Sequence, residues 1–197
     1  MIKLPNTLFY IALLTVVGCR VGVATGSSAS GEEPAQCLQK EMQGYRASSQ
    51  DAHSRALAYF SCFPSDFTGF MKIFGSEEAG AIPRYAPLYE VAHEHVLGML
   101  PKMQTEVGKD RLFNKLVGIA VGGRWQADAP NYLQEVLRQE LTADRAAFLK
   151  VLDLRSDDEV KEFWRFYDDG PHGPRGGPSP CKPGDKWRSC SFYSKHR

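Results

Sequence analysis

A short segment near the C-terminus brings together residue types that could perform acid–base chemistry or bind a cation. Asp168 and Asp169 are followed by Gly170, Pro171 and His172, so carboxylates and an imidazole lie close together at a rigid turn. Such a group can bind a cation or act as a general acid–base pair. In the alternative interpretation, the carboxylates are solvated residues at a helix end, capped by the glycine. We take Asp168, Asp169 and His172 as candidate partner-binding residues.

A second candidate site is the loop between two predicted helices around Trp125. Gly122 and Gly123 precede Arg124 and Trp125, and Asp128 follows. Tryptophan and arginine are the residue types most enriched at binding hot spots. We therefore predict that Arg124, Trp125 and Asp128 bind a partner, with burial of Trp125 under the loop as the alternative. The glycine pair lacks the dinucleotide-binding and Walker patterns, so a phosphate site is not supported.

The histidines do not have the spacing of a zinc site. His93 and His95 are two residues apart, so on a helix they point to nearly opposite sides, and the His-Glu-x-x-His pattern is absent. His95 lies on an apolar helix face, which predicts a buried, hydrogen-bonded side chain. No serine or cysteine has the context of a catalytic nucleophile. We therefore assign no catalytic residue, no metal and no cofactor.

The N-terminal segment has the layout of an export signal. Lys3 supplies the positive region, residues 8–17 form the apolar stretch, and the segment ends in Val16-Val17-Gly18-Cys19. This tetrapeptide resembles the lipobox of bacterial lipoproteins. The resemblance implies cleavage before Cys19 and a lipid on that cysteine that anchors the chain to the membrane. Arg20, in place of aspartate, implies by the same resemblance an outer-membrane lipoprotein that faces the periplasm.

Two alternatives for this segment stay open. An ordinary secretory signal could be cut further on, near Ala24 or Ala29, which would give a secreted or soluble periplasmic protein. The apolar stretch could also be a buried helix.

The chain has five cysteines, an odd number. With Cys19 lipidated, an even set of four remains, and disulfides persist in an oxidising compartment. Three pairings are possible. We favour Cys37 with Cys62, which would join neighbouring helices, and Cys181 with Cys190, which would close a short loop. A zinc site is disfavoured because the set contains no Cys-x-x-Cys pair.

The body of the chain is predicted to be a single all-α domain of six or seven helices. Apolar residues recur with helical spacing, and strand-like alternation is absent. The 197 residues, 43% hydrophobic and 24% charged, suit one globular domain. The predicted parts are a signal peptide (1–18), a lipidated cysteine with a flexible tether (19–34), a helical domain (35–169) and a Gly/Pro-rich basic tail (170–197).

Several helix ends have recognisable sequence signals. A helix through Phe67 and Phe74 should end at Gly75 in the left-handed conformation. Pro101 should stop the helix that contains His95. Ser156 and Glu159 fit a capping box at the start of a later helix.

The net charge of +1 conceals an uneven distribution of charge along the chain. Residues 170–197 have six Lys or Arg and one Asp, a net +5, whereas residues 19–169 have a net −5. The near-zero total disfavours a nucleic-acid partner. The tail could dock on the acidic body, contact anionic envelope material or bind a partner, and the alternative is a solvated, partly disordered tail.

Two segments, 125–132 and 163–172, resemble small exported bacterial proteins of uncharacterised function, and the chain as a whole is similar in class to helical periplasmic immunity proteins. These resemblances imply a lipid-anchored envelope protein that binds a protein partner, as an immunity or inhibitor protein neutralises a toxin. The second hypothesis is an envelope enzyme or metal-dependent factor centred on Asp168, Asp169 and His172. The third is a structural role in which the tail positions the body against the envelope.

Overall fold

A computed structural model describes residues 32–47, 50–77, 84–126, 128–170 and 179–195. The expected all-α class is confirmed, with nine α-helices in these ranges. The helices are α1 (Glu32–Ala47), α2 (Ala52–Cys62), α3 (Phe67–Phe74), α4 (Gln104–Val107), α5 (Lys109–Ala120), α6 (Ala129–Ala143), α7 (Arg145–Asp153), α8 (Asp157–Asp168) and α9 (Arg188–Lys195). Two short strands, β1 (Ser76–Glu77) and β2 (Arg84–Tyr85), form an antiparallel pair. None of the helices in the described ranges has the length and apolar character needed to span a membrane.

The local sequence signals account for several helix boundaries. The Asp66 side chain accepts a hydrogen bond from the amide of Gly69 at 2.8 Å and so caps α3. The predicted capping box is present at the start of α8, where Ser156 and Glu159 satisfy each other's backbone amides. The helix α3 ends at Gly75, as predicted, but the predicted left-handed conformation is wrong: the φ of Gly75 is −85°, and its backbone is extended.

A row of aromatic side chains fills the core between α5, α7 and α8. The rings of Phe113 and Phe148 lie 5.0 Å apart between centroids, and Phe148 and Phe163 lie 5.8 Å apart. All three side chains are fully buried. Burial of large apolar side chains is the dominant favourable term in folding, so this row joins the three helices into one core.

The segment before Pro101 is a π-helix, Glu94–Met99, where the sequence predicts an ordinary helix. The amide of Leu100 bonds to the carbonyl of His95, five residues back, at 2.9 Å. Pro101 then begins a short 3₁₀ turn, Pro101–Met103, because proline has no amide to continue the ladder. A π-helix, in which each backbone hydrogen bond spans one residue more than in an α-helix, is rare and is often found at functional sites.

Both disulfides favoured by the sequence are present. Cys37 and Cys62 join α1 to the end of α2 with a Cα–Cα distance of 6.1 Å. Cys181 and Cys190 close the loop before α9 with a Cα–Cα distance of 5.4 Å.

Residues 179–195 of the basic tail pack on the helical body. The Tyr193 ring lies 4.7 Å from the ring of Trp164, and the Trp164 indole nitrogen donates to the carbonyl of Ser189 at 2.9 Å. Arg188 forms an ion pair with Asp157 of α8. For residues 179–195, the structure therefore agrees with the alternative in which the tail docks on the acidic body. Residues 170–197 contain no Leu, Ile or Val. The packing contacts of the tail are made instead by a tyrosine ring and by backbone groups.

Candidate functional site

The loop around Trp125 (residues 121–126, the Trp125 loop) is fixed to the end of α8. The backbone amide of Trp125 donates to the carboxylate of Asp169 at 2.7 Å, and its indole nitrogen donates to Asn131 at 2.7 Å. Gly170 has a φ of +84°, and a Cβ there would overlap the indole ring. Trp125 and Asp169, which belong to two candidate sites predicted from separate parts of the sequence, are thus in direct contact. Trp125 itself is half-buried, between the two predicted alternatives.

Asp128 lies at the other end of the loop and has a strained backbone conformation. Its φ is +66°, in the region that L-residues rarely adopt, and it immediately precedes α6. Its carboxylate does not cap the helix but accepts a hydrogen bond from the hydroxyl of Tyr89. This hydrogen bond is the main reason that the pKa of Tyr89 is raised to about 12. Asp128 therefore joins the Trp125 loop to the segment after β2.

Arg124 is exposed at the rim of the loop. Its guanidinium donates to the carbonyl of Gly123 at 2.9 Å and lies 3.5 Å from the carboxylate of Glu162. Glu162 also pairs with Arg165, which donates to the same Gly123 carbonyl at 3.1 Å. These ion pairs and hydrogen bonds hold the loop on α8. More than half of the surface of the Arg124 side chain nevertheless remains exposed.

Gln134, which the sequence analysis did not single out, holds the end of α8 in place. It is fully buried on α6, and its amide nitrogen donates to the carbonyl of Phe166 at 2.5 Å and to that of Asp169 at 3.0 Å. These carbonyls lie at the end of α8, where helical partners run out. Gln134 therefore fixes the segment whose carboxylate binds the Trp125 amide. Its glutamine type on an otherwise apolar helix face was the available signal.

Asp168 and Asp169 line a surface cleft of about 520 Å³ between α8 and α9. Its lining includes residues of both charges and two aromatic residues. The lining residues are Lys161, Glu162, Trp164, Arg165, Asp168, Asp169 and Tyr193. His172, predicted to act with the two aspartates, lies outside the described residues. The cleft could hold a small polar ligand, and its mixed charges do not select one sign.

A partly exposed aromatic surface, which the sequence analysis did not identify, lies beside Asp128. We call its four members, Tyr85, Tyr89, His93 and Tyr132, the aromatic ridge. The Tyr85 and Tyr89 rings are 4.4 Å apart between centroids, and His93 and Tyr132 are 6.4 Å apart. Tyr85 is 57% exposed, although large apolar side chains usually bury most of their surface. Tyr85 lies in β2, Tyr89 in the following turn and His93 just before the π-helix, so no single periodicity in the sequence revealed this surface.

His95 is a buried, hydrogen-bonded histidine, as predicted. The Tyr59 hydroxyl lies 3.0 Å from His95 Nδ1, and the two rings stack at 5.8 Å between centroids. Burial lowers the pKa of His95 to about 4, and the nearby Glu94 and Arg46 have smaller, opposing effects. His95 Nε2 is buried and has no hydrogen-bond partner among the described residues. The first turn of the π-helix thus contains an imidazole whose neutral form is favoured by burial.

Within the described ranges, one group could bring three metal-ligating atoms together: Cys181, Asp185 and Cys190. Its two sulfurs are joined in a disulfide, which leaves no thiolate to bind a metal. Asp185 instead pairs with Arg145 of α7. This cluster therefore attaches the tail to the body.

Comparison of the chain with models of protein families, with curated proteins and with solved structures finds no match.

Proposed function

We propose that this protein is a lipid-anchored envelope protein that binds a protein partner, as an immunity or inhibitor protein that neutralises an envelope-acting toxin. The recognition surface is the Trp125 loop with the adjoining end of α8. The anchor is the lipid on Cys19, which lies outside the described residues, and the body faces the periplasm.

The observation that carries this proposal is the preorganisation of the Trp125 loop. Asp169 holds its centre through the Trp125 amide at 2.7 Å, and Asp128 fixes its far end through Tyr89. A loop held in one conformation before binding loses less conformational entropy when a partner binds. Arg124 and Trp125, which remain partly accessible on this fixed loop, are of the types that dominate binding energy in protein interfaces.

The envelope location has independent support in the two disulfides. Cys37–Cys62 and Cys181–Cys190 are bonds of a kind that persists in the periplasm and is rare in the cytosol. Replacement of Cys19 by alanine should abolish incorporation of a labelled fatty acid and release the protein from the membrane fraction. Retention of the label by this variant would contradict lipidation at Cys19.

Site-specific photo-cross-linking in the producing bacterium tests the recognition surface. A benzophenone amino acid at Arg124 should cross-link one discrete partner, whereas the same group at Lys150, exposed on α7, should not. A strain that lacks the gene should also lose fitness beside toxin-producing siblings. The proposal fails if position 124 yields no specific product and the deletion strain competes normally.

The cleft between α8 and α9 supports a second candidate function, an envelope enzyme or metal-dependent factor. Asp168 and Asp169 are both among the residues that line this cleft, and its volume of about 520 Å³ is large enough for a small ligand. Calorimetric titration with Mg²⁺, Ca²⁺ and Zn²⁺ tests it, with an Asp168→Asn variant as the control. Absence of heat with all three ions would remove the metal-dependent version.

A further inference from the structure

The outer part of the aromatic ridge is a pair of tyrosine rings, of which Tyr85 is exposed and Tyr89 is partly buried. Tyr85 is 57% exposed and lies with its ring 4.4 Å from that of Tyr89, between centroids. Leu154, the other large apolar side chain that is strongly exposed in the described residues, is 77% exposed. Single exposed apolar side chains are ordinary, but these two rings, tilted by 35° against each other, form a larger aromatic surface, and the face of each ring is electrostatically negative.

Tyr89 has features that make its ring more attractive to a cation. Its hydroxyl donates a hydrogen bond to the carboxylate of Asp128. A phenol that donates to an anion shifts electron density into its ring, and the attraction of a cation depends on the charge of that face. Glu90 adds a second carboxylate whose charge is felt at the Tyr89 hydroxyl. The carboxylates of Asp128 and Glu90 therefore both act on Tyr89.

The basic residue next to the pair does not occupy this face. Arg84 and Tyr85 are consecutive residues of β2, and consecutive side chains of a strand project to opposite faces. Glu77 of β1 lies directly opposite Arg84 in the register, so it provides a cross-strand neighbour of opposite charge. The ring contact described for Tyr85 is therefore with Tyr89.

We propose that Tyr85 and Tyr89 form a binding site for an arginine side chain of the protein partner, with the guanidinium stacked on the exposed face of Tyr85. Guanidinium is planar and weakly hydrated, so it stacks on aromatic rings and keeps its donors free for carboxylates such as Glu90. This proposal rests on the proposed function, because the arginine belongs to the partner that binds the Trp125 loop. The ridge adjoins that loop through Asp128, so one partner can contact both.

Titration with two short peptides, followed by NMR of the tyrosine ring protons, tests the site. The probes are acetyl-Gly-Arg-Gly-amide and the same peptide with citrulline, which has the shape of arginine without its charge. The arginine peptide should shift the Tyr85 and Tyr89 resonances in a saturable way, and the citrulline peptide should bind about two- to fivefold more weakly. Equal affinity for the two peptides would overturn the proposal.

Three variants separate the ring from other effects. Tyr85→Leu should abolish the arginine preference, Tyr85→Phe should retain it because the ring remains, and Leu154→Ala, at an exposed apolar position elsewhere, should bind like the parent protein. An arginine preference that survives Tyr85→Leu would overturn the site.

The cross-link at position 124 distinguishes this proposal from the proposed function. If Tyr85→Leu lowers the yield of the cross-link at position 124 without abolishing it, both the arginine site and the proposed function are supported. If cross-linking persists at full yield in Tyr85→Leu, the arginine site is overturned and the recognition surface stands. If the arginine peptide binds but position 124 yields no partner, the proposed function is overturned, and with it the assignment of the arginine to that partner.

Discussion

The backbone amide of Trp125 donates a hydrogen bond to the carboxylate of Asp169, 44 residues further along the chain, at 2.7 Å. This contact joins the loop after α5 to the end of α8, and Gln134 of α6 holds that end through the Asp169 carbonyl. Three helices therefore define the position of one loop. The arrangement is sensitive to single substitutions, since each partner satisfies a polar group that would otherwise be left in a half-buried place.

Replacement of Asp169 by alanine should loosen the Trp125 loop. The amide of Trp125 loses its acceptor, so we expect the free energy of unfolding to fall by about 1–2 kcal/mol and hydrogen exchange at this amide to become faster. Asp169→Asn is the matched control, because its side-chain oxygen can still accept the bond. Unchanged exchange at Trp125 in the alanine variant would show that the contact does not hold the loop.

Replacement of Gly170 by alanine should destabilise the protein by about 2 kcal/mol or more. The φ of +84° is unfavourable for alanine, and the added Cβ meets the Trp125 indole. Gly184→Ala is the control, because Gly184 has a φ of +85° but nothing within 4 Å of an added Cβ. Urea denaturation of both variants separates backbone strain from the contact. Equal losses would mean that the indole moves aside without cost.

Apart from the disulfide Cys37–Cys62, which joins residues 25 apart, the features that were predicted from the sequence have a local cause. The capping box needs only Ser156 and Glu159, three residues apart, and the helical class follows from the spacing of apolar side chains. The bond from Trp125 to Asp169 and that from Tyr89 to Asp128 join distant segments, so no periodicity reveals them. The π-helix at His95 was also hidden, because its pattern of buried residues resembles that of an ordinary helix.

Removal of the disulfide in the tail should release α9 from α8. A double variant, Cys181→Ser with Cys190→Ser, opens a loop with a sequence separation of 9, which should cost about 2–3 kcal/mol in the chain-entropy model. Hydrogen exchange across α9 should then become faster, because the contact between Trp164 and Tyr193 is held less often.

The other disulfide provides the control for this prediction. A Cys37→Ser and Cys62→Ser double variant should lower the free energy of unfolding but leave exchange in α9 little changed, because it opens the junction of α1 and α2 instead. Slow exchange in α9 after loss of Cys181–Cys190 would show that side-chain packing alone holds the tail.

Protonation of His95 should make the protein lose stability in mild acid. Burial lowers its pKa from 6.5 to about 4, so between these values the unfolded chain binds a proton at this residue and the folded chain does not. Stability from this group is therefore complete above pH 6.5 and falls as the pH decreases toward 4, by up to about 1.4 kcal/mol per pH unit and about 3 kcal/mol in total.

The variant His95→Phe isolates this effect from the titration of carboxylates. Phenylalanine keeps a ring against Tyr59 and Phe74, and the Tyr59 hydroxyl retains an acceptor in the carbonyl of residue 95, at 3.3 Å. The difference in unfolding free energy between pH 7 and pH 4.5 should thus be smaller in this variant than in the parent protein. His53→Gln is the control, because the His53 side chain is 66% exposed. An identical pH dependence in the parent and in His95→Phe would mean that the imidazole gains a proton in the folded core without cost.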